Sequence, residues 1–94
     1  MNIIYKRLSR YRLNPKYNGY KYIKKLIEMS IYSPRDFKDT LEAVAKHYHL
    51  STNGIKESAR FCLKKANIDI DLKDFIINNA IEIANALLSN EYNA

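Results

Sequence analysis

Asn53, Lys56, Glu57, Arg60 and Lys64 recur at three- and four-residue spacing. At roughly 100° per residue of helix they fall within an arc of about 100°, on one face. This set suits hydrogen bonding to base edges rather than bond breaking. The planar fork of Arg60 can donate to guanine O6 and N7 together, and Glu57 can accept from cytosine N4. Asn53 and Lys56 can reach a base edge or a phosphate. Each has a plainer reading: Arg60 can pair with Glu57 on the surface, and Glu57 can simply balance the patch. Around the stripe lie groups suited to phosphate. These are Lys46, Lys64 and Lys65, the hydroxyls of Ser51 and Thr52, and upstream Arg10, Arg12, Lys16 and Lys21. Phosphate contacts fix register on a duplex, while base contacts carry sequence information. Ser51 and Thr52 also stand where a helix would start, and the unpaired first amides of a helix bind anions.

Chemistry of other kinds is missing from the pattern. The residue spacings assemble no Ser/His/Asp set, paired-carboxylate site or glycine-rich phosphate loop, so no enzyme activity and no cofactor are expected. His47 and His49 are two apart near a helix end and face different ways, which argues against a metal site. Cys62, the single cysteine, falls on an apolar stripe and is expected in the core. A lone thiol forms no internal disulfide, and no zinc-type spacing accompanies it.

Charge is polarised along the chain. Residues 1–25 hold eight basic side chains and no acidic one, residues 26–66 hold seven and five, and residues 67–94 hold one and five. A polyanion would meet the front of such a molecule. The bland alternative is a solvated basic tail. With 94 residues, 47% of them apolar, the chain fits one domain with a modest core and rules against wholesale disorder. No signal-peptide-like run opens it and no stretch is long enough to span a bilayer, so a cytoplasmic, nucleoid-associated protein is expected.

The elements that must position the stripe are helices. Two Gly, two Pro and no convincing alternation of apolar and polar residues favour an all-α fold, a small bundle of four to five helices. Residues 1–18 read as a basic, tyrosine-bearing arm, closed by Asn14-Pro15; such an arm suits nucleic acid or folds back on its own domain. A helix is expected over 19–32, with Tyr20, Ile23, Ile27 and Ile31 facing inward. Ser33-Pro34-Arg35-Asp36 starts another, with Ser33 as cap, running to about 49. Ser51 or Thr52 caps a third through about 66, and Asp71 a last through about 88, before a frayed tail over 90–94. The second and third of these, joined by a very short turn, have the pattern of a helix-turn-helix within a domain over 19–89. In that pattern Ala45 lets the helices approach, Leu50 plugs their junction, and Ile55 and Ala59 lock the reading helix inward. His49 occupies the turn position where glycine is common, so another residue is expected to form the turn.

The ordered series of segments resembles the C-terminal DNA-binding domain of the stage-zero sporulation response regulators of endospore-forming bacteria. Gly19-Tyr20-Lys21-Tyr22-Ile23 looks like that family's Gly-Tyr-x-Tyr-Leu opening, and Val44-Ala45-Lys46-His47-Tyr48 like its Ile-Ala-Lys-Lys-Phe. Ile27-Glu28-Met29, Ile55 through Arg60, and Phe75-Ile76 continue the match over about 70 residues. The resemblance implies sequence-specific binding of double-stranded DNA and transcriptional control in a bacterium. Where the family carries Glu-Arg and then Arg-His on its reading helix, this chain has Lys56, Glu57, Arg60 and Phe61. Only Arg60 is shared, which implies a different target. Only about 18 residues precede the domain here, so no phosphoacceptor receiver is expected to switch it.

Two other readings follow from the same residues. One is an interaction module or antagonist that pairs with a related regulator or with RNA polymerase, docking or forming a homodimer through Ile77, Ile81 and Leu88 of the acidic last helix. The other is a DNA binder without sequence preference.

Overall fold

The computed structural model describes residues 3–93, with side chains through residue 89. Its five helices are α1 (Ile3–Arg10), α2 (Asn18–Tyr32), α3 (Phe37–Tyr48), α4 (Thr52–Lys65) and α5 (Leu72–Asn93). No strand occurs among the described residues, so the protein is an all-α bundle. No helix among them is long and apolar enough to cross a membrane.

α2 is the hub and touches each of the other four helices. Ile23, Leu26 and Ile27 are fully buried on it, and they share one core with Leu8 of α1, Val44 of α3, Ile55 and Ala59 of α4, and Phe75, Ile76 and Ile83 of α5. Burial of each large side chain of this kind stabilises by about 1.5–3 kcal/mol. The inward stripes expected of α2 to α5 therefore form the core, with Met29, Ile31, Phe37 and Tyr48 packed at its rim.

The arm is folded. Residues 3–10 are helical, and Ile4, Leu8 and Leu13 are buried in the common core. Its tyrosines meet the domain's own rings edge-on: Tyr5 on Tyr20 at 6.2 Å, Tyr11 on Phe75 at 5.0 Å, and Tyr17 on Phe61 at 5.3 Å. The Arg7 guanidinium donates to Asn79 Oδ1 at 2.8 Å and pairs with Glu82, tying α1 to α5. Folding back on its own domain is the arm reading these contacts match.

Four local expectations need correction. Ser33 ends α2 instead of starting α3: its N–H donates to the Met29 carbonyl at 2.8 Å. α3 begins at Phe37, where the Asp36 carbonyl accepts from both the backbone N–H and the hydroxyl of Thr40. His49 itself forms the turn, in the left-handed conformation at φ 57° and ψ 43°. Its N–H donates to Lys46 and that of Leu50 to Ala45, the paired bonds that close a helix through a left-handed residue. Leu50 is 44% exposed and so does not plug the junction. The backbone bond it donates points its amide inward and leaves its side chain outside. The rest of the helix-turn-helix is as expected, with α3 and α4 separated by residues 49–51 and with Val44, Ala45, Ile55 and Ala59 buried between them. α5 runs to Asn93, past the end expected at 88. Residues 90–93, expected as a frayed tail, thus continue the helix, while their side chains and residues 1, 2 and 94 lie outside the described residues.

Candidate nucleic-acid interface

The position of α4 follows from three fixings. The Ser51 hydroxyl accepts from the Gly54 N–H at 3.0 Å and caps the first turn. Ile55, Ala59, Cys62 and Leu63 are buried along its inner side. On α2, Gly19 has no Cβ where one would fall on the Ser58 carbonyl oxygen and within 2.9 Å of Cys62 Cβ. Absence of that one carbon lets the two helices lie backbone against backbone. At its far end α4 closes like α3: Asn67 takes φ 59°, and the Asn67 and Ile68 amides donate to Lys64 and Leu63.

With the inner side fixed, Asn53, Glu57, Arg60 and Lys64 are exposed on the outer side and Lys56 is half-buried at its edge. Asn53 donates to Glu57 Oε1 at 3.4 Å. The alternative pairing of Glu57 with Arg60 is not formed. Among the described residues Lys56, Arg60 and Lys64 make no hydrogen bond or ion pair within the protein, whose two ion pairs are Arg7–Glu82 and Lys25–Glu28. Three cations without an ion pair, against the one carboxylate of Glu57, leave this face net positive.

Two flanks border this face. On one, the exposed Phe61 ring lies against Tyr17, with Lys65 Nζ 5.4 Å from the Phe61 centroid. Lys16 and Asn18 line the shallow recess beside them. On the other, Lys56 and Arg60 wall a cleft of about 830 Å³ that also takes in the starts of α3 and α5. Sequence reasoning passed over the Tyr17–Phe61 pair and the cleft. Phe61 was visible as the neighbour of Arg60, but its partner stands 44 positions away, and no local spacing joins α3, α4 and α5.

The structure thus gathers Asn53, Lys56, Glu57, Arg60, Lys64 and Lys65 on α4, with Ser51 and Thr52 at its start and Lys16 beside it. Other expected phosphate ligands stand elsewhere. Lys46 is on α3, in a recess with Arg35, Asp39 and Glu42. Lys21 Nζ lies over the rings of Tyr22 and Tyr48, at 5.6 and 5.4 Å. Arg10 and Arg12 are exposed at the end of α1 and in the turn after it. Burial pushes the Cys62 thiol up from its ordinary value, opposed by a backbone hydrogen bond from Asn14. Among the described residues no three His, Cys, Asp or Glu side chains gather to hold a metal ion.

What this arrangement can do chemically is present an N-terminally capped helix whose outward side offers a guanidinium, two ammonium groups, an amide and a carboxylate. No protein-family model, curated protein or solved structure matches the chain.

Proposed function

We propose that this protein is a sequence-specific DNA-binding transcriptional regulator that lays α4 in the major groove. The observation that carries the reading is the outer side of α4. Asn53, Glu57, Arg60 and Lys64 are exposed there, and its cations are unpaired among the described residues. The short turn before α4 and the capping Ser51 put that side at the molecular surface, starting end first. The ordered resemblance to the sporulation effector domains points the same way. Arg60 reads a base, with Asn53 and Lys56 nearer the helix start. Lys64, Lys65, Lys16 and the Ser51 and Thr52 hydroxyls take phosphates.

The test is retention of a randomised duplex pool by the purified protein at near-physiological salt, followed by sequencing. An enriched motif is expected. Arg60→Ala should then cost about 1–3 kcal/mol at that motif and relax one position of it. Retention without enrichment would replace this reading with a non-specific binder, and equal weakening on every sequence would remove Arg60 from base reading.

A second reading is supported by a different observation. Ile81 is 54% and Leu88 62% exposed along α5, and Ile77 continues their stripe. Such a stripe suits an interaction module that pairs with a related regulator or RNA polymerase. It predicts no retained DNA and a stable protein complex, lost on Ile81→Lys.

A further inference from the structure

The cleft beside α4 has its own character. Its cations are Arg35 and Lys38 at the start of α3, Lys56 and Arg60 on α4, and Lys73 at the start of α5. Three acids, Asp36, Glu42 and Asp71, line it too. No ion pair forms between the two sets, although they share one wall. Arg35 donates to the Ser33 hydroxyl at 2.8 Å, and the Asp71 carboxylate accepts from the Lys73 N–H. Lys38, Lys56, Arg60 and the Lys73 ammonium make no hydrogen bond or ion pair among the described residues. Five cations against three carboxylates leave the lining with a net charge of +2, and an anion seated among the four unpaired cations would be attracted by it.

The remainder of the wall is apolar. Leu41 and Leu72 are buried beneath it, and Phe37 and Ile77 are partly exposed along it. A volume of about 830 Å³ lies within the range of small-molecule sites, which run from about 300 to 1,000 Å³. The cleft therefore suits a ligand that carries both negative charge and an apolar part.

We infer that this cleft binds a small phosphorylated molecule with an apolar or aromatic body, of the chemical class of a nucleoside diphosphate. Its phosphates lie among Lys38, Lys56, Arg60 and Lys73, and its body rests on Phe37 and Ile77. Lys56 and Arg60 belong to this cleft and to the outer side of α4 at once. An occupied cleft therefore withdraws both from DNA, a consequence that rests on the DNA-binding reading.

The experiment is calorimetric titration of the full chain with ADP, pyrophosphate and adenosine at about 0.1 M salt, where long-range screening is strong. ADP should bind one-to-one, about tenfold or more tighter than either fragment, since each fragment supplies one half of the match. Lys38→Gln and Lys73→Gln, which lie off α4, should each weaken ADP about fivefold and leave DNA retention in place. ADP binding no tighter than pyrophosphate, or unchanged by both substitutions, overturns the site. DNA retention with no heat from ADP sinks this inference alone. One-to-one ADP binding without DNA retention sustains the site and removes only the DNA reading.

Discussion

Cys62 is sealed where α4 meets Gly19 of α2. Burial raises its pKa above the ordinary 9.0. Tyr20 is raised likewise, first by burial and then by Tyr5 and Cys62, and its buried hydroxyl has no hydrogen-bond partner among the described residues. Both groups are neutral when protonated, so the unfolded chain ionises first. Above 9.0 the unfolded state binds fewer protons than the folded one, and stability falls as pH rises. Urea unfolding across the alkaline range should show this decline, and Cys62→Ala should flatten its onset; an unchanged slope would deny the thiol any share. At this scale the sequence was a good guide wherever one helix stripe decided the outcome. Cys62 was legible as core because it sits in register with Ile55 and Ala59. The buried Asn79 was not, because it is satisfied by Arg7 from the other end of the chain.

Helix ends were less legible than helix bodies. Ser51 and Asp71 act as the caps their positions suggested, with the Gly54 and Lys73 amides as donors. Ser33 does not, because the chain needs residues 33–36 to turn between α2 and α3. His49 was misread for a clear reason: glycine is favoured in the left-handed region but is not required there, and His is among the residues tolerated in it. The cost of that conformation should be recoverable. His49→Gly is expected to stabilise by about 0.5–1 kcal/mol, relieving left-handed strain against a larger unfolded-state entropy. A shift of the urea midpoint at constant slope would register it, and a loss of stability would mean that the His49 ring makes a contact of value. The outer side of α4 was legible in full, because its spacing is a property of one helix. The cleft was not, because three separate elements build it.

Across the whole molecule, the all-helical class and the count of four to five helices followed from composition and period, but the helix inside the arm did not. α1 is eight residues long, with two buried positions, Ile4 and Leu8, too few for a periodic signal. Helices this short are marginal alone and form by packing. Its polar attachment is asymmetric. Arg7 holds the Oδ1 of Asn79, a residue only 3% exposed, whereas Glu82 stands largely in solvent. Arg7→Met leaves that buried acceptor bare and should cost about 1–3 kcal/mol, little changed by salt. Glu82→Gln removes a surface ion pair and should cost about 0–1 kcal/mol, less at high salt. Thermal unfolding of the two variants at low and high salt separates them, and equal losses would mean that the ion pair, not the amide, anchors α1.

That anchor also sets a timetable. Arg7 and Asn79 are 72 positions apart. On a ribosome the amino end appears first, and domains assemble in that order only where their contacts are already made. Here α1 is made well before its clamp, which lies 72 positions downstream on α5. Until then Ile4 and Leu8 lack α5 and rest chiefly on α2. A stalled nascent chain ending before Leu72 should therefore be cut by protease within residues 3–13, while release of the finished chain closes that window. Early protection of the stalled chain would show instead that the helices before α5 suffice to seat the first.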